Sequence, residues 1–159
     1  MKYNQSIQNF VVKWGFIIAL IFAAMILLLQ GCKKGESPEA QLYEEYFEEN
    51  VLNSDFVVQL ATDNGTDNTA LYNGWVFRLL KETYYNGPMT AVKGGVTYNG
   101  TWSCDQGYGR LTINITQPSV PADFGFINKA WRFTKKDLPV MELAPWGSTA
   151  AQVLHMRRL

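Results

Sequence analysis

The chain has 159 residues, with 14 basic against 14 acidic side chains, one histidine, two cysteines and an aromatic load of five Trp, eight Tyr and nine Phe. Nothing in this charge balance suggests nucleic-acid binding, which calls for a strong basic patch. One histidine beside two cysteines excludes a His-rich or cysteine-cluster zinc site.

The chain opens with Lys2 and Lys13, and residues 14–29 are uncharged and mostly apolar, the layout of a secretory signal peptide. That run is about 16 residues long, at or just below the ~17 to 25 that a spanning helix needs, so a retained anchor is the second choice. Leu29-Gln30-Gly31-Cys32 resembles the lipobox of bacterial lipoproteins. The resemblance implies cleavage before Cys32, lipid on its sulfur and an added acyl chain. Two or more chains hold a protein stably to a membrane. The domains expected are a signal peptide over 1–31, a lipidated N-terminus and polar linker over 32–37, and one folded domain over 38–159. About 128 residues remain after cleavage, enough for a single domain with a real core. With Lys2 and Lys13 gone, 12 basic residues face 14 acidic ones. If lipid occupies Cys32, Cys104 has no partner within the chain, and it reads as a small half-buried residue near a turn.

Ser37 reads as a helix N-cap, with Pro38 at the first helical position and Glu39 in the first turn, where the helix dipole favours an anion. Leu42 with Tyr46, and Tyr43 with Phe47 and Val51, recur at helical spacing, while Glu44, Glu45, Glu48 and Glu49 take much of the other surface. The spacing predicts a short amphipathic helix over 38–51.

Beyond Asn53 the apolar pattern alternates, and turn signals come about every ten residues, which predicts an all-β fold. Strands are expected over 56–61 and 74–81, separated by a polar loop over 63–69. Asp63, Asn64, Asp67 and Asn68 are hard oxygen ligands, but the loop lacks the alternating acids and closing glutamate of an EF-hand, and turn chemistry accounts for them. Residues 84–88 read as a turn. Residues 89–93 and 96–103 form a hairpin around Gly94-Gly95, with Val96, Tyr98, Gly100, Trp102 and Cys104 sharing one face. After a turn at 105–109, Leu111, Ile113 and Ile115 point inward, and Pro118 and Pro121 end the pattern. Residues 124–127 resume it as a strand. Phe126 and Trp131 differ in parity, which predicts a bulge or break near Asn128. Trp131 and Phe133 alternate up to a turn over 135–137, Met141 and Leu143 alternate inward, 145–148 makes a loop, and Leu154 with Met156 faces inward in a last strand. The sum is a small antiparallel β-barrel of about eight strands preceded by one helix, because closure removes sheet edges.

Gly100-Thr101-Trp102-Ser103, the 108–113 segment, Trp131-Arg132-Phe133-Thr134 and the closing 153–158 segment resemble the lipocalin-like lipoproteins common in Bacteroidetes. The resemblance implies a lipocalin-like, or calycin-like, barrel and a place in the bacterial cell envelope, with the outer membrane favoured over the inner. In true lipocalins the Gly-x-Trp motif lies on the first strand, whereas here it lies mid-chain.

No cofactor, metal or enzymatic activity is expected. His155 is predicted on the outer face, opposite Leu154 and Met156, out of reach of a Ser-His-Asp arrangement, and Gly94-Gly95 lacks the Gly-Lys-Ser/Thr of a phosphate loop. What the composition offers is aromatic surface. Trp75, Phe77, Trp102, Trp131 and Phe133 are the candidate walls of a pocket at one barrel mouth, holding a small apolar or amphipathic ligand. The alternative is that these rings fill the barrel and the domain contacts an envelope protein through Trp146 and the 63–72 loop. A void open to solvent separates the two readings.

Overall fold

The computed structural model describes residues 38–135 and 138–159, so Cys32, the leader, Ser37 and part of the 135–137 turn lie outside the described residues. Helix α1 spans Pro38–Asn50. Its buried stripe is Glu44 and Phe47, continued by Val51 just past its end, a spacing of three and four that places them on one face. The expected apolar face is therefore narrower than the sequence pattern implied. Leu42, 65% exposed, points away from the core, and Tyr43 and Tyr46 stand half out of it.

The strands are β1 (Asp55–Asp63), β2 (Thr66–Asp67), β3 (Val76–Leu79), β4 (Asn86–Lys93), β5 (Val96–Cys104), β6 (Arg110–Gln117), β7 (Ala130–Lys135), β8 (Val140–Pro145) and β9 (Gln152–Arg158). They pair antiparallel in the order β1-β3-β4-β5-β6-β7-β8-β9, and β9 closes back on β1 from Phe56↔Arg158 to Asp63↔Gln152. The result is an eight-stranded barrel, with β2 as an extra strand beside the end of β1. Alternate residues are buried along β4, β6, β8 and β9, as Leu111, Ile113 and Ile115 are on β6 and Leu154 and Met156 on β9.

Three expected segments differ, the first being the 63–69 loop, which holds the end of β1 and the two-residue strand β2 paired with it. Residues 84–88 are not all turn, because Asn86, Gly87 and Pro88 already pair with Ser103, Trp102 and Thr101 on β5. Gly87 permits this: a Cβ there would lie 2.0 Å from the Leu80 carbonyl oxygen. Residues 124–127 are not a strand but a single helical turn, α2 (Phe124–Ile127), built after Pro121 accepts from the Phe124 N–H. This is the break foreseen near Asn128. The Asn128 amide then takes a strand's place beside β6, accepting from Ile115 N–H at 2.9 Å and donating to Ile115 C=O at 2.8 Å.

Strand directions sort the connections to two ends. The helix end carries α1, the 80–85 and 105–109 connections and Arg158; the far end carries 64–75, the Gly94-Gly95 turn, 118–129 and 146–151. Phe47, Val51, Leu52 and Tyr108 fill the helix end, and Tyr72, Trp75, Phe124 and Ile127 fill the far end. Among the described residues, every buried side-chain nitrogen and oxygen has a hydrogen-bond partner.

Candidate functional site

The five expected wall residues do not face one cavity. Phe77 and Trp131 expose none of their surface, Trp102 exposes 1% and Trp75 7%, so these four are packed in the core; Phe133 alone is half-buried. Barrel stagger divides them among three clusters. Trp75 packs at 4.7 Å on Phe124 and 5.3 Å on Tyr98, with Phe77 behind. Trp131 meets Phe126 at 5.4 Å, under the Lys129 ammonium. Burial lowers the pKa of that ammonium. Trp102 and Phe133 belong to the third cluster, at the helix end, where both pack against Phe47 of α1.

That third cluster borders a groove open to solvent. The Phe47 ring lies 4.5 Å from Tyr108, 5.7 Å from Trp102 and 6.3 Å edge-on from Phe133. Beside it runs a shallow groove lined by Tyr43, Tyr46, Phe47, Val51, Tyr108, Phe133 and Met141, its cavity volume of about 20 Å³ room for about one water. Of the residues expected from sequence only Phe133 lines it, with Trp102 behind Phe47. Helical periodicity flagged Phe47 and Val51, but Tyr108 sits in a Gly-Tyr-Gly turn at positive φ, where a sequence reads as loop.

Polar groups hold the rim. The Trp102 indole N–H donates to Leu80 C=O at 2.8 Å and the Tyr108 hydroxyl to Tyr84 C=O at 3.0 Å, so both rings are fixed by the barrel's own connections. Burial, then the neighbouring Tyr85 and Glu44, pushes the Tyr108 phenol well above its ordinary pKa. Helix α1 grips the rim through its opposite flank. Glu44, 5% exposed, accepts from the Tyr85 hydroxyl, and Glu48 pairs with Lys81 at 2.5 Å. At the helix C-terminus Arg158 donates to the Asn50 carbonyl at 3.2 Å.

The remaining candidates resolve simply. His155 stands on the outer face, 4.0 Å from Glu142. Asp67 accepts from Thr69 N–H, and Asp63 accepts from Gln152 and Asn64, so the 63–69 acids serve their loop. No metal-holding cluster of His, Cys, Asp and Glu occurs among the described residues. Trp146 is 45% exposed beneath the Arg110 guanidinium, and Leu71 of the 63–72 loop is exposed as well.

No family model matches the chain, and no curated protein matches it. The chain is similar to one solved structure, a DUF4847 family protein from Bacteroides vulgatus, at 18% identity over 69% of this chain and 95% of that one, with a TM-score of 0.49.

Proposed function

We propose that the mature chain is a non-enzymatic binding protein of the bacterial cell envelope, tethered by lipid on Cys32, that takes a small apolar ligand at the helix end of its barrel. The observation carrying this reading is the groove between α1 and the barrel, whose lining is aromatic and aliphatic, with tyrosine hydroxyls as the polar groups among its described side chains. Sites for small molecules are concave and mostly apolar. The groove's place at the helix-end mouth supports the expected mouth site, with Phe133 as the one expected wall residue that lines it. A bound ligand there should change the fluorescence of Trp102, behind Phe47, and raise the melting temperature, by about 2.7 kcal/mol of stabilisation at a hundredfold excess over Kd. The test is a panel of fatty acids, isoprenoids and aromatic compounds against the native chain and Phe133→Ala. Response by the native chain that weakens in the variant supports the site; no response across the panel removes it.

A second reading is favoured by a different observation. Leu71, Val96 and Val120 are exposed apolar side chains on far-end connections and strand ends, and Trp146 is exposed on the β8–β9 connection. Exposed Trp is enriched in interface hot spots. This reading has an envelope protein bound at the far end, and it requires that crosslinking to that partner be lost in Trp146→Ala and retained in Phe133→Ala.

A further inference from the structure

Resting on the second reading, we propose that the partner's contact includes the outer strand face beside Trp146 and that the partner meets it with an acidic segment: two carboxylates against the Arg110 and Arg132 guanidiniums, and an apolar side chain against the Trp146 ring.

Arg110 and Arg132 are direct cross-strand partners on β6 and β7, and both are exposed on the outer face. Side chains opposite one another in this way stand about 5 Å apart at Cβ, and like charges so placed repel. Among the described residues neither guanidinium has a carboxylate partner; the ion pairs there are Arg78–Asp55, Lys81–Glu48, Lys135–Glu142 and His155–Glu142. The carboxylates beside the two arginines are engaged elsewhere. Asp105 accepts from the Gly109 and Arg110 N–H groups at 2.7 and 3.1 Å. Glu142 shares the outer face of β8 with Ala144, the residue opposite Arg132, and its carboxylate stands 3.9 Å from Lys135 and 4.0 Å from His155. The barrel therefore holds two cations side by side without supplying their counter-charge.

An apolar ring lies beside these charges. Trp146 is exposed, and the Arg110 guanidinium stands 5.6 Å from its centroid. The Trp146 N–H donates to Ala130 C=O at 3.0 Å, which ties its backbone to the start of β7, one outward position along from Arg132. Tryptophan and arginine are enriched among the residues that dominate protein interfaces. A guanidinium takes a carboxylate through two parallel N–H donors. All three side chains stand on an open strand face, which suits an extended segment of a partner chain and not an enclosed small molecule. Complementary charge then selects a segment with two carboxylates and one apolar side chain, and it disfavours a basic one.

The probe is a capped peptide, Glu-Ser-Glu-Ser-Leu, carrying an uncharged dye, in which the glutamates and the leucine share one face when the chain is extended. Its control has glutamine in place of both glutamates. Fluorescence anisotropy with the full native chain in detergent at low salt should show the glutamate peptide bound more tightly by about fivefold or more. Arg110→Gln and Arg132→Gln should each weaken it by about two- to fivefold, and Trp146→Ala should weaken both peptides. Arg78→Gln, the same charge change on β3, should bind as the native chain does, and so should Phe133→Ala. Equal weakening in Arg78→Gln reduces the effect to net charge and overturns the proposal. Glycerol phosphate that binds through the same arginines more tightly than the peptide assigns them to a phosphate, as on a lipid headgroup, and also overturns it. So does no binding of the glutamate peptide by the native chain. Crosslinking to the envelope partner that is lost in Trp146→Ala and kept in both arginine variants leaves the second reading standing and overturns its acidic segment. Crosslinking kept in Trp146→Ala as well ends both.

Discussion

Trp102 shows how one side chain serves two purposes. Its ring fills the barrel beside Gly87, and its indole N–H satisfies the Leu80 carbonyl. Trp102→Phe keeps most of the ring and leaves that carbonyl without its donor, a cost of about 1 to 3 kcal/mol. Trp102→Ala removes the packing too and should cost about 3 to 5 kcal/mol, both read by urea denaturation. Gly100 faces a harder limit, because a Cβ there would lie 2.1 Å from the Asn114 carbonyl oxygen across a register shift in β5–β6. Gly100→Ala should reach or exceed the ~1 to 3 kcal/mol typical of overpacking. Tyr72 carries a pH signature. Burial, then the nearby Asp123 carboxylate, pushes its phenol up to about 12, while its hydroxyl donates to Asp123 C=O at 2.7 Å. A pKa raised in the fold contributes stability that is complete below the unfolded value near 10 and is lost as pH rises through about 12. Alkaline unfolding should fall in that window. Tyr72→Phe should flatten the decline of stability across it, measured by circular dichroism beside tyrosinate absorbance.

At the scale of the element, α2 and Asn128 make the sharpest case. β7 begins at Ala130, so β6 runs past it, and Asn128 caps the exposed backbone of Ile115 with both ends of one amide. Asn128→Leu should leave a buried N–H and C=O unpaired, costing about 2 to 5 kcal/mol, with faster hydrogen exchange at the Ile115 amide. Asn128→Asp keeps the acceptor and should lose less. This element also marks where the sequence stops being legible. A four-residue apolar run such as Phe124-Gly125-Phe126-Ile127 has too few positions to separate a period of 2 from one of 3.6. Strands β5, β6, β8 and β9 were readable because five or more alternating positions outvote local noise. Asn86-Gly87 misled for another reason: the pair is a turn signal, yet its glycine was needed for close backbone approach within a strand. The candidate site was legible only in part. Composition announced an aromatic interior, but whether Trp75, Trp102 and Trp131 share a pocket depends on barrel stagger, which pairwise alternation along single strands does not contain. Phe47 was visible as a helix-face residue; its destination between Tyr108 and Trp102 was set by a tertiary contact about 60 residues away in the sequence.

For the whole molecule, the proposed anchor and the fold make separable demands. Residues Pro38–Leu159 are a compact unit by their own contacts, closed by the β1–β9 pairing and by Leu159 N–H donating to Asp55 C=O at 2.9 Å. The described core and ladders lie within Pro38–Leu159. Cys32→Ser should block maturation in a cell with the lipoprotein pathway, giving an unlipidated precursor that retains residues 1–31. Mass spectrometry of the native mature protein should find Cys32 at the N-terminus carrying acyl chains whose summed hydrocarbon holds it to the membrane. An unmodified cysteine at that position would overturn the tether and with it the envelope assignment. The ligand site at the helix end would stand or fall separately on the Phe133→Ala comparison, because its described lining comes from residues of α1 and the barrel.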